Sequence, residues 1–325
     1  TILLRRFAWP SVSEQTRGIG IDMGFVSARK LRHSPCLVMW YDMRFGHKTV
    51  LGDVDFVPSL SRYSVARILP DDILWLLVNR GSQIVVNDLL IARGSLSEEE
   101  KNFMVKLAIK AIIGYGDALL FFLGDYHWSY QEKGRRMAKR TDVTESFRNL
   151  YAEALEFRFQ PRYQEYLQKD MSTWMDELRE AFQTVHMECE SLRMGKRNWG
   201  WEEYPTLSLR YGLFDQLSSP HATAKKILNL LRGPRSPADT GIWSKIAYRS
   251  AGHRGLLPVC YPAVIYGFEN EPLRGWVQKA IIARDTSCNE LRRAYLRAWG
   301  KHMDPNFFKV ARRFNLPLER EEALT

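Results

Sequence analysis

Apolar residues occupy nearly every helical face of the segment 103–123, FMVKLAIKAIIGYGDALLFFL. A surface helix carries one apolar stripe, so this pattern predicts a helix buried on all sides at the centre of a helical domain. Gly114 and Gly116-Asp117 interrupt the run, and Gly124-Asp125 breaks it into an aromatic turn that empties into a basic cluster. Just upstream, Ser97 and Glu100 have the spacing of a capping box. Asp71 or Asp72 is placed to cap an earlier helix running to about Arg80. Later periodic segments predict helices at about 142–158, 161–195, 203–217, 221–232, 242–250, 255–268, 273–285 and 287–301. Prolines 161, 205, 220, 234, 237 and 272 punctuate them.

The first 60 residues follow another pattern. Short β-branched or aromatic runs at 1–8, 18–26, 36–42 and 47–51, separated by polar or glycine turns, predict strands. The expected fold class is therefore α+β, with a small mixed β-sheet N-terminal part (1–95) followed by a large all-helical domain (96–325). A chain of 325 residues is long enough for two domains. The central run raises the question of a membrane span. Lys106, Lys110 and Asp117 argue against one, since each would cost roughly 2.5–3.5 kcal/mol near a bilayer centre. No membrane partner is expected.

Charge changes the picture more than composition does. The net charge is +10, from 47 Lys+Arg against 37 Asp+Glu, which favours anionic partners such as nucleotides or nucleic acid. Cys36, Cys189, Cys260 and Cys288 form no C-x-x-C pair, so reduced thiols and a cytoplasmic setting are expected. No signal peptide follows Thr1.

Three aspartates in the N-terminal part are candidate metal ligands. Asp22 sits within a strand-like run, and Asp53 and Asp55 would fall on one side of an extended segment. Converging carboxylates suit Mg²⁺, a hard cation that shares its oxygen ligands with substrate phosphates. Ordinary turn chemistry after Gly52 is the competing explanation for Asp53 and Asp55. Basic and aromatic residues interleave at 193–201 (RMGKRNWGW) and 292–301 (RRAYLRAWGK), a combination that serves either nucleic-acid binding or helix packing. Asp117, inside an apolar helix, must find a donor or stay protonated.

The order GIGIDMGFVS, CLVMWYDMRFGHKTVLGD, ILWLLVNRGSQI and then residues 105–136, with the exit GDYHWSY, resembles nucleotidyltransferase-like proteins of the DNA polymerase beta type. That resemblance implies a mixed sheet carrying the metal site, a helical domain behind it, and transfer of a nucleoside monophosphate from a nucleoside triphosphate to an acceptor hydroxyl. It implies Asp22, Asp53 and Asp55 as catalytic Mg²⁺ ligands. Lys133, Arg135 and Arg136, with Tyr126 and Tyr130, would hold the nucleotide. The family's Gly-Ser and Asp-x-Asp motif is not found ahead of Asp22, because residues 1–21 contain no aspartate. Either the motif precedes Thr1 or the chain is a catalytically degenerate relative. A nucleic-acid- or protein-binding module on the same scaffold is the alternative. A third reading is a HEPN-like ribonuclease, whose arginine and histidine would be Arg179 and His186, or Arg297 and His302.

Overall fold

In the computed structural model, residues 24–215, 220–236, 241–305, 307–316 and 318 are described. The chain divides into two compact units, Thr1–Ile68 and Leu69–Thr325.

The first unit corrects the expected fold class. Among the described residues there is no strand in either unit, and the protein is built from helices and turns. Segment 36–42, expected as a strand, lies largely in helix α2 (Val38–Gly46), which follows the short α1 (Ala28–His33). A short apolar run does not distinguish strand from helix, and packing decided here. Wound as a helix, α2 buries Val38, Trp40 and Tyr41, and Trp40 stacks on Tyr63 at 6.4 Å between ring centroids. The Tyr63 hydroxyl donates to the Leu31 carbonyl at 2.5 Å and ties α1 to the segment after α2. Arg44 holds the same region by donating to the carbonyls of Pro58 (3.1 Å) and Tyr63 (2.9 Å). Residues 47–51, the last expected strand, have no ladder partner among the described residues, and Val50 and Leu51 are almost fully exposed. Expected strand 1–8 and most of 18–26 lie outside the described residues.

The second unit carries the remaining twelve described helices. α3 (Pro70–Ala92) begins with proline at N1, which needs no N–H there, and carries Asp71 and Asp72 in its first turn, where the helix dipole favours acids. α4 (Glu98–Phe122) begins with the expected capping box: Ser97 accepts from the Glu100 amide and Glu100 accepts from the Ser97 amide. Joined by a short loop, α3 and α4 pack against each other as the spine of the unit. The interruptions of the apolar run are seats for neighbouring side chains. A Cβ on Gly114 would lie 2.4 Å from the Arg80 stem, and one on Gly116 would lie 2.1 Å from the Tyr151 ring.

α5 (Tyr130–Ala138), α6 (Glu145–Phe159) and α7 (Tyr163–Leu167) cover one side of α4. α8 (Met171–Met194) packs on both α3 and α4. The helix expected over 161–195 is thus two helices. Asp170 accepts from the Thr173 amide, so the chain restarts with a cap of its own.

The C-terminal half is gathered around α11 (Ile242–Ile265), which packs against α3, α9 (Tyr204–Asp215), α10 (Pro220–Arg232), α12 (Glu271–Ile281) and α13 (Cys288–His302). α14 (Phe307–Arg313) packs on α13. As expected, two helical segments meet within α11: they are separated by a kink at Gly252, where φ is 64° and ψ 176°, outside helical geometry. Only glycine sits there without strain, and the Asn229 side chain would be 2.8 Å from any Cβ. Among the described residues no helix is long and apolar enough to cross a membrane.

Candidate anion-binding site

Charged side chains inside the second unit fall into two kinds, and the difference locates the site. Most are matched. Lys133, buried on α5, donates to Asp117 of α4 at 2.7 Å, and the Tyr151 hydroxyl donates to the other Asp117 oxygen at 2.7 Å. Lys133 also lies over the rings of Tyr126 and Tyr130, 4.4 and 4.9 Å from their centroids. Burial, with Asp117 adding to it, pushes the Tyr151 hydroxyl well above the usual range. The Asp117 carboxylate in the apolar helix therefore has the donors that a buried acid requires.

Two further buried clusters repeat the arrangement. Asp88 of α3 is paired with Arg179 of α8 and with Arg292 of α13 at 3.1 Å. Its burial raises the carboxyl pKa against the pull of the two guanidiniums. Glu190 of α8 accepts two hydrogen bonds from Arg193, at 2.8 and 2.7 Å, and Arg193 reaches Ser208 at 3.3 Å and Asp71 at 3.4 Å. Burial pushes Glu190 up, but Arg193 beside it outweighs that and holds the carboxyl below its ordinary range.

The second kind lies where α3, α9, α10 and α11 meet around a cavity of about 360 Å³. Asp71, Trp75, Arg193, Lys225, Lys226 and Arg254 supply its charged and aromatic lining, with Ser208, Asn229 and Ser250 adding polar groups. Four cations face one carboxylate there, and Arg193 already engages that carboxylate. Buried Lys226 donates to the carbonyls of Gly212 and Leu213 near the end of α9, the negative end of that helix dipole. Arg254 lies 5.1 Å over the Trp75 ring, which holds its guanidinium in place. Neither Lys225 nor Arg254 makes an ion pair among the described residues. Burial first, and the Arg254 charge second, lower the Lys225 pKa. Lys225 and Arg254 thus line one cavity, both exposed to solvent, with the Arg254 charge disfavouring that of Lys225, an arrangement that an anion would relieve.

The bend in α11 lies at the cavity, since Ser250, Ala251 and Arg254 on either side of it belong to the lining. At Gly252 the helix leaves regular geometry, Asn229 of α10 donates to the Ser250 carbonyl at 2.9 Å, and Arg254 follows two residues later. The bend opens backbone polar groups beside the cavity, and Asn229 takes one of them.

The residues singled out from sequence fall elsewhere. Asp22 lies outside the described residues. Asp53 and Asp55 are exposed rather than on a strand, Asp53 just before the turn 54–59 and Asp55 within it, and Asp53 accepts from the Asp55 amide at 2.9 Å. Among the described residues no three His, Cys, Asp or Glu side chains are grouped to hold a metal ion. Arg135 and Arg136 both bond Glu132, at 2.7–2.8 Å, and Arg136 also reaches the Asp125 carbonyl at 3.1 Å. Lys133 is buried beneath Tyr126 and Tyr130.

Arg179 and His186 share α8 but not a site, because Arg179 is held by Asp88 and Asp176 while His186 is fully buried. Tyr266 donates to the Phe182 carbonyl at 3.2 Å, so the His186 Nδ1–H donates to Tyr266 at 3.1 Å. Burial lowers the His186 pKa to about 4, so the ring is neutral at pH 7. Arg297 is paired with Glu290 at 2.8 Å, and the His302 ring stacks on His253 with centroids 4.9 Å apart.

In both basic-aromatic segments the rings point inward. Trp199, Trp201, Tyr295 and Trp299 are buried, while Arg193, Arg197, Arg292, Arg293 and Arg297 pair with acids.

Sequence reasoning missed Trp75, Lys225 and Arg254. The one signal that pointed to them is charge: between Asp215 and Glu269 the sequence holds seven Lys and Arg and a single acid, Asp239. No family model, curated protein or solved structure matches the chain.

Proposed function

We propose that the helical unit binds a phosphorylated small molecule of nucleotide size in the cavity between α3, α9, α10 and α11. The supporting observation is that Lys225 and Arg254 face this cavity with no carboxylate partner among the described residues. Buried Lys133 and Arg193 of the same unit are matched to acids, whereas Lys225 and Arg254 are exposed at the cavity and form no ion pair among the described residues. A cavity of about 360 Å³ lies within the usual range for small-ligand sites. Arg254, planar and held by Trp75, is suited to bidentate contact with a phosphate, and Lys225 supplies a mobile point charge. Arg193 is fixed by Glu190 and Asp71, so it supports the wall rather than reaching for the ligand.

A nucleoside triphosphate is the ligand that the sequence resemblance favours, and the charge of the cavity agrees with it. Binding is the activity supported.

Calorimetric titration of the full chain with phosphate, pyrophosphate and the four ribonucleoside triphosphates tests this reading. The expected result is saturable binding of at least one of them. Lys225→Ala should weaken it about tenfold, the effect of losing one charge-assisted hydrogen bond. Absence of binding by every phosphate, or affinity unchanged in Lys225→Ala, would overturn it.

A further inference from the structure

Helix α10 turns an apolar face outward. Ala224, Ile227, Leu228 and Leu231 fall within an arc of about 100° around the helix axis, and all four are exposed, Leu231 at 73 %. The opposite side of the helix faces the protein, with Lys226 buried and Asn229 bonded to the Ser250 carbonyl. α11, which packs against α10, opens with exposed Ile242 (71 %) and Trp243 (66 %). Five large apolar side chains are thus presented to solvent from two adjoining helices, where isolated exposed residues would be unremarkable.

The charges that flank this face in the sequence have one sign. Lys225 and Arg232 border the apolar arc on α10, and exposed Arg235 and Lys245 follow in the loop and on α11. The seven Lys and Arg between Asp215 and Glu269 stand against Asp239 alone. An aliphatic face edged by cations, with an exposed tryptophan at the start of the helix it packs on, matches the chemistry of a bilayer surface: acyl chains for Ile and Leu, the headgroup level for Trp, anionic headgroups for Lys and Arg.

We infer that the α10 face, with Ile242 and Trp243, docks the protein on an anionic lipid surface without crossing it. Two other occupants fit less well. Single-stranded nucleic acid would meet the cations but leave the aliphatic face without stacking partners. A second copy of this chain would bring two edges of the same charge together. Docking of this kind departs from the expectation of no membrane partner, although α10, with 13 residues, is too short to span a bilayer.

The test is sedimentation of the full chain with phosphatidylcholine vesicles, with and without phosphatidylserine. Leu231→Glu, Trp243→Glu and the double variant are compared with the unaltered chain. Neither residue lines the cavity, so thermal midpoint and phosphate binding serve as controls for folding.

The chain should bind phosphatidylserine-containing vesicles at least about tenfold more tightly than neutral ones. The double variant should lose at least about tenfold in that binding with an unchanged thermal midpoint. Equal binding to both vesicle types, or binding unaltered by the double variant, would overturn the inference. So would a dimer in sedimentation velocity that the double variant abolishes, which would assign the face to a second copy. RNA binding without vesicle binding would overturn it in favour of nucleic acid. If only the cavity reading fails, phosphate binding is lost while vesicle binding persists.

Discussion

The Asp117–Lys133–Tyr151 cluster and the cavity lined by Lys225 and Arg254 belong to the same helical unit but treat charge in opposite ways. At Asp117 a buried carboxylate meets an ammonium and a phenol at 2.7 Å each, and nothing is left for a ligand. At the cavity Lys225 and Arg254 both belong to the lining, and Asp71, the carboxylate of that lining, already engages Arg193. Matched charge on a buried scaffold sets register and packing. Unmatched charge of one sign, gathered at a cavity, marks the place where the missing partner comes from outside. The first lesson removes Lys133 from the nucleotide-contact role that its neighbourhood in the sequence suggested. The second moves the candidate site to residues that the sequence left unremarked.

Breaking the matched region should have the largest effect. Lys133→Met leaves Asp117 buried without its cation and should destabilise the protein by about 3–5 kcal/mol in urea unfolding. Lys133→Met with Asp117→Leu should recover most of that loss, because no charge then remains uncompensated. A double variant no more stable than Lys133→Met would contradict this account of the pair.

Acid should act nearly as strongly, through His186. Its folded pKa is held near 4 by burial, below the value of about 6.5 in the unfolded chain. Between those limits the unfolded state binds the extra proton. This contribution to stability is therefore full above about pH 6.5 and falls as pH drops toward 4, by roughly 3 kcal/mol at most. His186→Phe should flatten that part of the pH–stability curve, as measured by urea midpoints at pH 7 and pH 4.5. An unchanged slope would place the acid sensitivity elsewhere.

A smaller effect is expected where α4 and α6 touch. Gly116→Ala puts a methyl 2.1 Å from the Tyr151 ring, and Tyr151 is bonded to Asp117. Overpacking of this kind costs typically about 1–3 kcal/mol. Thermal denaturation should show the loss, and Tyr151→Phe in the same background should relieve little of it, since the ring rather than the hydroxyl is in the way.

At the unmatched end, stability should barely move. Arg254→Ala removes a cation with no acid partner, so its effect should stay within about 0.5 kcal/mol. A loss as large as that of Lys133→Met would mean that Arg254 is structural after all.

Local signals carried most of the helical unit. The capping box at Ser97 and Glu100 involves neighbours in sequence and was legible as such. The buried run from Phe103 to Leu123 fixed α4 because no other arrangement hides so many apolar faces. What failed depended on distant residues. Segment 36–42 looks like a strand until Tyr63 is known to lie against Trp40. The division of α11 at Gly252 was legible as two helices, but the reason for the glycine is Asn229 on another helix. The break at Asp170 was an N-cap hidden inside one continuous apolar stripe.

The candidate site was less legible still. Lys225 and Arg254 are distinguished by the absence of partners, and a sequence cannot show which of its many basic residues remain unpaired. The same holds in reverse for Arg135, Arg136 and Arg179, which looked available and are held by Glu132, Asp88 and Asp176. The one-signed stretch between Asp215 and Glu269, which contains Lys225 and Arg254, is present in the sequence but was not singled out there.

The central claim is that the cavity of α3, α9, α10 and α11 is completed by a phosphate. Titration of ATP into the full chain and into Lys225→Ala/Arg254→Ala at low salt tests it most directly. The account predicts saturable binding that weakens at least about a hundredfold in the double variant, as two charge-assisted contacts are lost, and that falls with added salt. Equal affinity of the two proteins, or no binding by either, would contradict it.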